Sequence, residues 1–240
     1  NQHGVHSPFI FDLVTKCFYK KNIDLNSFFR IKQQLLDNKT FIKVTDFGSG
    51  SKIFNSENRK VSKIAKVAGI SNIKAKLLIK IVNYFNPNNI LEIGTSLGLG
   101  TSAIKIGNYK SNIITLEGCP ETSKIAENLF KENNFKSIKI INGNFNKTIE
   151  DWVKNNSYDF IYFDGNHTKK ASLEYFETCL PSINNNTFWI FDDIYWSKEM
   201  QEAWLEIKNH PKVTVTVDVF HCGIVFFREE QAKEHFKIRI

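Results

Sequence analysis

At 240 residues the chain has room for one sizeable domain with an appendage, not for two full domains. With 42% apolar and 24% charged residues it predicts a buried core, which excludes an intrinsically disordered chain. Its net charge of +7 is uneven: residues 1–80 carry 15 basic and five acidic side chains, and residues 81–240 carry 17 and 20. No apolar run approaches the ~20 residues of a membrane helix, so no membrane partner is expected. Asn1–Phe11 lacks the basic-then-apolar pattern of a leader. Cys17, Cys119, Cys179 and Cys222 stand far apart without metal spacing, which reads as reduced buried thiols and a cytoplasmic location.

In chain order, Phe9–Tyr19, Ser27–Leu36, Lys60–Ala68 and Lys74–Phe85 read as helices, with Asp46–Ser51 and Asn55–Asn58 as loops. Residues 1–80 are therefore expected to form a mainly helical, basic extension or lid, packed over one end of a domain spanning 81–240. From residue 90 onward short apolar runs alternate with amphipathic stretches. The runs are Ile90–Ile93, Ile113–Leu116, Ile138–Ile141, Phe160–Phe163, Phe188–Phe191, Val213–Val219 and Gly223–Phe227. Most are continuously apolar, as strands covered on both faces should be. Pro120–Asn133, Lys169–Leu180 and Lys198–Asn209 are the intervening helices. Only Phe220, His221 and Cys222 separate the last two runs, too few for a crossover helix, so they must pair as an antiparallel hairpin. The expectation is an α/β fold: a seven-stranded, doubly wound parallel sheet with a terminal antiparallel hairpin.

The most informative stretch is Ile90–Ser102, a buried strand entering a turn with Gly94, Gly98 and Gly100 and then a helix beginning near Thr101. Glycines there allow close backbone approach to a ligand, and the amides of a helix start face it. No Gly-Lys-Ser/Thr follows, and the spacing is not that of the dinucleotide fingerprint. The next strand ends in Glu117, 23 residues after Gly94. Neighbouring strand ends bring such a carboxylate opposite the glycine turn, where it can accept both hydroxyls of a ribose. Val44–Ser51 is a second glycine-rich loop, but no strand ending in an acid follows at the needed distance. It reads as a loop of the extension.

Glu92-x-Gly94-x-x-x-Gly98, Glu117, the Asn142–Phe145 turn and Asp159–Asp164 together resemble class I S-adenosylmethionine-dependent methyltransferases, over roughly residues 60–228. The Rossmann-like sheet with a terminal hairpin is that family's fold. The resemblance implies S-adenosylmethionine as cofactor, with Glu92 and Gly94 at its methionine end and Glu117 on the ribose. Asn144 would meet the adenine amino group, where many relatives carry an acid. The cofactor-binding set so implied is Glu92, Gly94, Thr95, Ser96, Gly98, Glu117, Gly118, Asn144, Phe145 and Asp164.

A second cluster lies at later strand ends. Asp164-Gly165-Asn166-His167 and Asp192-Asp193 both open onto the crevice at the carboxyl edge. Carboxylates converging there repel each other unless a cation or protons intervene. The layout is similar to that of the metal-dependent catechol-type and sugar-type O-methyltransferases. By that likeness Asp164, Asp192 and Asp193 would hold Mg2+, or else Ca2+ or Mn2+. The other reading is that the aspartates cap the following helices. Asp164 and His167 are the catalytic candidates, with His167 as general base or a loop-holding residue. Tyr195, Trp196 and Trp204 either wall an aromatic acceptor or belong to the packing. His3, His6 and Ser7-Pro8 near the N-terminus either reach the mouth of the site or belong to a docking segment.

The function expected is methyl transfer to the oxygen of a small hydroxylated acceptor. A nucleic-acid methyltransferase is the alternative, suggested by the basic extension. Against it, only four basic residues are arginine (Arg30, Arg59, Arg228, Arg239), and the fourth strand lacks the Pro-Pro motif of amino-methylating enzymes. A non-catalytic binding protein leaves the acidic cluster without a purpose. The oligomeric state stays open, a homodimer included.

Overall fold

The computed structural model describes residues 7–21, 23–45 and 56–240. His3, His6, Asn55 and the Asp46–Ser51 part of the second glycine loop lie outside the described residues. The chain begins with α1 (Pro8–Asp12), which continues as a π-helical turn over Leu13–Phe18, followed by α2 (Asn26–Asp37). Ser7 caps α1 by accepting from the Ile10 amide at 3.4 Å, and Pro8, which has no amide hydrogen to leave unpaired, opens the helix. Two short antiparallel strands, β1 (Phe41–Lys43) and β2 (Asn58–Lys60), come next, so the expected loop at Asn58 is in fact strand. α3 (Val61–Val67) and α4 (Asn72–Phe85) lead into the sheet, with α4 running through residue 80.

The main sheet takes β3 (Asn89–Ile93), β4 (Asn112–Glu117), β5 (Ile138–Asn142), β6 (Phe160–Phe163), β7 (Phe188–Asp192), β8 (Val215–Asp218), β9 (Cys222–Phe226) and β10 (Glu234–Lys237). Their order is β10-β8-β9-β7-β6-β3-β4-β5. β9 is antiparallel to both β7 and β8, as the three-residue gap required. The sheet has eight strands rather than the seven expected, because β10 adds in parallel outside β8. Glu-His-Phe-Lys is mostly exposed there, and an edge strand with one solvated side carries no apolar run to announce it.

Helices α5 (Leu99–Gly107), α6 (Pro120–Glu132), α7 (Phe145–Val153), α8 (Lys169–Cys179) and α9 (Lys198–Asn209) fill the crossovers. Strand residues alternate between two cores. Ile90, Phe160, Tyr162, Phe188, Ile190 and Phe226 face one side, with residues of α2, α3, α4 and α5. Leu91, Ile93, Ile161, Phe163, Trp189, Phe191 and Val225 face the other, with residues of α7, α8 and α9. Each large apolar side chain so buried contributes about 1.5–3 kcal/mol. Ile10, Leu13, Phe28, Ile31 and Leu35 of the N-terminal segment join the first core. In that segment Leu13–Phe18 packs on α4 and α2 packs on α3 and α5, while Phe9 meets Phe226 of β9 edge to face; α4 supplies the helix that precedes β3. No helix among the described residues is long and apolar enough to cross a membrane.

Candidate active site

Of the nine positive-φ residues among the described residues, six lie at the carboxyl edge of the sheet, and Asn86, Asn134 and Ser137 lie elsewhere. Gly94 (φ +107°), Ser96 (φ +49°) and Gly98 (φ +84°) follow β3, Asn166 (φ +50°) follows β6, Asp193 (φ +52°) follows β7 and Phe220 (φ +70°) closes the β8–β9 turn. Non-glycine residues held there cost of order 1–3 kcal/mol each and cluster where a site over-determines them. Gly94 has no room for a side chain, since a Cβ would lie 2.4 Å from the Asp164 carbonyl oxygen. The β3 turn therefore lies directly against the end of β6.

Glu92 is fully buried, on the α5 side of β3. Its Oε2 accepts from the Thr115 hydroxyl at 2.6 Å and from the Thr101 hydroxyl, while its Oε1 has no partner among the described residues. Burial pushes its carboxyl up to about 7, against the pull of the two threonine hydroxyls. A Cβ at Gly100 would meet that lone Oε1 at 2.8 Å and Asp164 Oδ2 at 3.9 Å, so both carboxylates look toward the start of α5. Thr95 is used internally, its hydroxyl 2.6 Å from that of Thr115.

Glu117 ends β4 beside the turn, as its register predicts. Its Oε2 accepts from the Ser96 amide at 2.6 Å and its Oε1 from the Cys119 amide at 2.8 Å across Gly118. Burial raises its pKa and these amides oppose the rise. The Thr122 hydroxyl and the Gly118 amide also favour its charged form. Further along the edge, Asn144 caps α7 by accepting from the Asn146 amide at 3.0 Å, and Phe145 packs against Gly165. The residues fit a nucleoside bearing an amino-acid tail on three counts: an orphaned buried carboxylate oxygen, a glycine cradle, and a carboxylate fixed beside it.

The later strand ends hold Asp164, His167, Asp192 and Asp193, together with a residue that sequence reasoning missed. Lys74, in the first turn of α4, places its Nζ 2.8 Å from Asp192 Oδ2 and 2.6 Å from Asp193 Oδ1. Burial alone would lower the lysine's pKa, but the two ion pairs raise it above its ordinary value. Asp164 is held well above the usual carboxylate range by burial, then by the charge of Asp192. Asp192 is also raised by burial, with Lys74 opposing. His167 Nε2 stands 3.6 Å from Asp164 Oδ1, too far for a hydrogen bond, and burial lowers its pKa toward the neutral imidazole. Nothing in the local pattern near residue 74 signals this pairing, because the partner carboxylates lie 118 and 119 residues away.

The expected divalent site at Asp164, Asp192 and Asp193 finds no support. Among the described residues no three His, Cys, Asp or Glu side chains are arranged to hold a metal ion. The facing oxygens of Asp192 and Asp193 are taken by an ammonium group, which a divalent ion would have to displace. Of the candidate acceptor walls, Trp204 is buried beneath Gly223 in the core and is excluded. Tyr195 donates to Asp218 and stacks on the exposed ring of Phe220, with centroids 5.6 Å apart, and Trp196 is half exposed.

Residues 91–194 match the family model described as a methyltransferase domain. No protein of curated function matches the sequence closely enough to count as a relative. Among solved structures, SAH-bound PaMTH1 of Podospora anserina is 15% identical, with a TM-score of 0.66 over 94% of this chain and 97% of that one. The Bacillus cereus O-methyltransferase in complex with SAH is 18% identical, with a TM-score of 0.60 over 90% and 96%. TomG of Streptomyces achromogenes, an O-methyltransferase of tomaymycin synthesis in complex with SAM, is 15% identical, with a TM-score of 0.57 over 66% and 81%. At these identities the likeness establishes the fold.

Proposed function

We infer that this chain is a class I methyltransferase that draws its methyl group from S-adenosylmethionine and delivers it to a hydroxyl oxygen of a small acceptor. The observation that carries the reading is the β3 cradle, where the unpartnered Glu92 Oε1 and the pinned Glu117 flank Gly94 and Gly98. S-adenosylmethionine, when bound, supplies a methyl carbon made electrophilic by a positively charged sulfur. Glu92 offers its free oxygen to the amino-acid ammonium, and Glu117 offers its carboxylate to the ribose hydroxyls. Such charge-assisted bonds are short and strong. Phe145 and Asn144 border the adenine end.

In-line displacement asks the protein chiefly for alignment and for a deprotonated oxygen. His167, neutral because burial lowers its pKa, takes the acceptor's hydroxyl proton as the oxygen–methyl bond forms. The charges of Asp193 and Asp192, which act to raise the pKa of His167, favour the resulting imidazolium. The rings of Tyr195, Trp196 and Phe220 at the same strand ends favour an acceptor with a flat apolar portion. Incubation with methyl-labelled S-adenosylmethionine and a panel of phenolic and aliphatic hydroxyl compounds tests the reading. Label is expected on oxygen, and His167→Ala is expected to slow transfer by about 10²–10⁴ while S-adenosylhomocysteine affinity is retained. Label found only on nucleic acid, or full activity of the histidine variant, would overturn it.

A further inference from the structure

We propose that Lys74 is the resident cation of this site, occupying the place between Asp192 and Asp193 that a divalent ion takes in metal-dependent enzymes of similar layout, so that the intact protein binds no such ion there. The geometry is that of a built interaction. One ammonium bridges two carboxylates at 2.8 and 2.6 Å, with the lysine side chain 16% and the Asp192 side chain 6% exposed. The lysine also stands where its own helix does not favour it. The first turn of α4 contains no acidic residue, and the positive end of a helix dipole disfavours a cation there. The aspartates, not the helix, hold it in position.

Both sides of the pair are fixed from the backbone. Ser71 caps α4 through the Lys74 amide at 3.2 Å, anchoring the residue whose side chain crosses to the sheet. Asp193 adopts a left-handed conformation, its amide bound to the His221 carbonyl at 3.1 Å and its carbonyl to the Trp196 amide at 2.8 Å. A hard divalent cation needs about six oxygen ligands. Here the two inward oxygens face an ammonium, and an entering ion would meet its repulsion. Because Lys74 belongs to α4, the strand-end site is complete only with that helix in place. Lys74 is thus a positioning residue that keeps the carboxylate pair neutralised and immobile beside His167.

The inference rests on the methyl-transfer reading only for the purpose of the site, because occupancy of the carboxylates is measurable without any acceptor. Mn2+ is titrated into the full chain, with S-adenosylhomocysteine present, and followed by electron paramagnetic resonance. Wild type and Lys74→Arg are expected to bind none at millimolar metal. Lys74→Met, which empties the position, is expected to gain an Mn2+ site at least about tenfold tighter than any wild-type binding, lost again on adding Asp192→Asn. Mn2+ binding by wild type that Asp192→Asn abolishes would overturn the proposal, and so would a folded Lys74→Met that gains nothing. If Lys74→Met does not fold, the wild-type and Asp192→Asn arms still decide. Failure of S-adenosylhomocysteine to bind would contradict the proposed function and leave the Mn2+ result standing.

Discussion

Glu92 sets ligand binding against stability, and its replacement by glutamine separates the two. The carboxyl is fully buried, with one oxygen bound by two threonine hydroxyls and the other by nothing among the described residues. Its pKa stands at about 7 in the fold against an ordinary 4.5. A raised pKa means that the folded state binds a proton the unfolded chain has released. Below pH 4.5 both states are protonated and the contribution is intact. Between 4.5 and about 7 the unfolded chain ionises first, so stability falls as pH rises, and above 7 the loss is complete. At about 1.4 kcal/mol for each tenfold step, the gap is about 3 kcal/mol. Glutamine cannot ionise and still accepts from Thr101 and Thr115. Urea unfolding of the ligand-free protein is expected to show Glu92→Gln gaining about 3 kcal/mol on wild type between pH 4.5 and pH 8. Using the change with pH cancels any constant cost of the substitution. The same variant is expected to bind S-adenosylhomocysteine more weakly at pH 8, having lost the carboxylate that faces the ammonium. Parallel stability curves for the two proteins across that range would refute the reasoning.

Other substitutions follow from close approaches. Gly94→Ala drives a methyl group to 2.4 Å from the Asp164 carbonyl at a φ of +107°, and is expected to cost at least about 2 kcal/mol by urea unfolding, with loss of S-adenosylhomocysteine binding. Gly223→Ala meets the Trp204 ring at 2.4 Å in the core of the opposite face, so an expected cost of about 1–3 kcal/mol should leave ligand affinity unchanged at temperatures where the variant is folded. A thermal transition of either variant equal to wild type would contradict the packing described.

The sheet was readable in the sequence because its strands bury both faces and so run continuously apolar, and because three residues between β8 and β9 leave no room for a helix. Glu117 was readable for a related reason: in a doubly wound sheet, strand order fixes which strand ends are neighbours. What escaped was tertiary. β10 is a mostly exposed edge strand of mixed polarity, and β2 is three polar residues paired with β1. The pairing at the mouth escaped for the same reason. Three aspartates without a visible partner suggested a metal; two of them pair with a lysine on a helix that the periodicity placed correctly but could not aim. For Trp204, read either as a wall of the site or as packing, the second holds, because α9 turns it onto Gly223.

Calorimetric titration of S-adenosylhomocysteine into wild type and Glu117→Ala bears most directly on the central claim. On the proposed reading the alanine removes the carboxylate that takes two ribose hydroxyls, at roughly 1.5–3 kcal/mol for each charge-assisted bond, so affinity should fall by about a hundredfold or more. Heats and affinities that are the same for the two proteins, or no heat with either, would contradict the account.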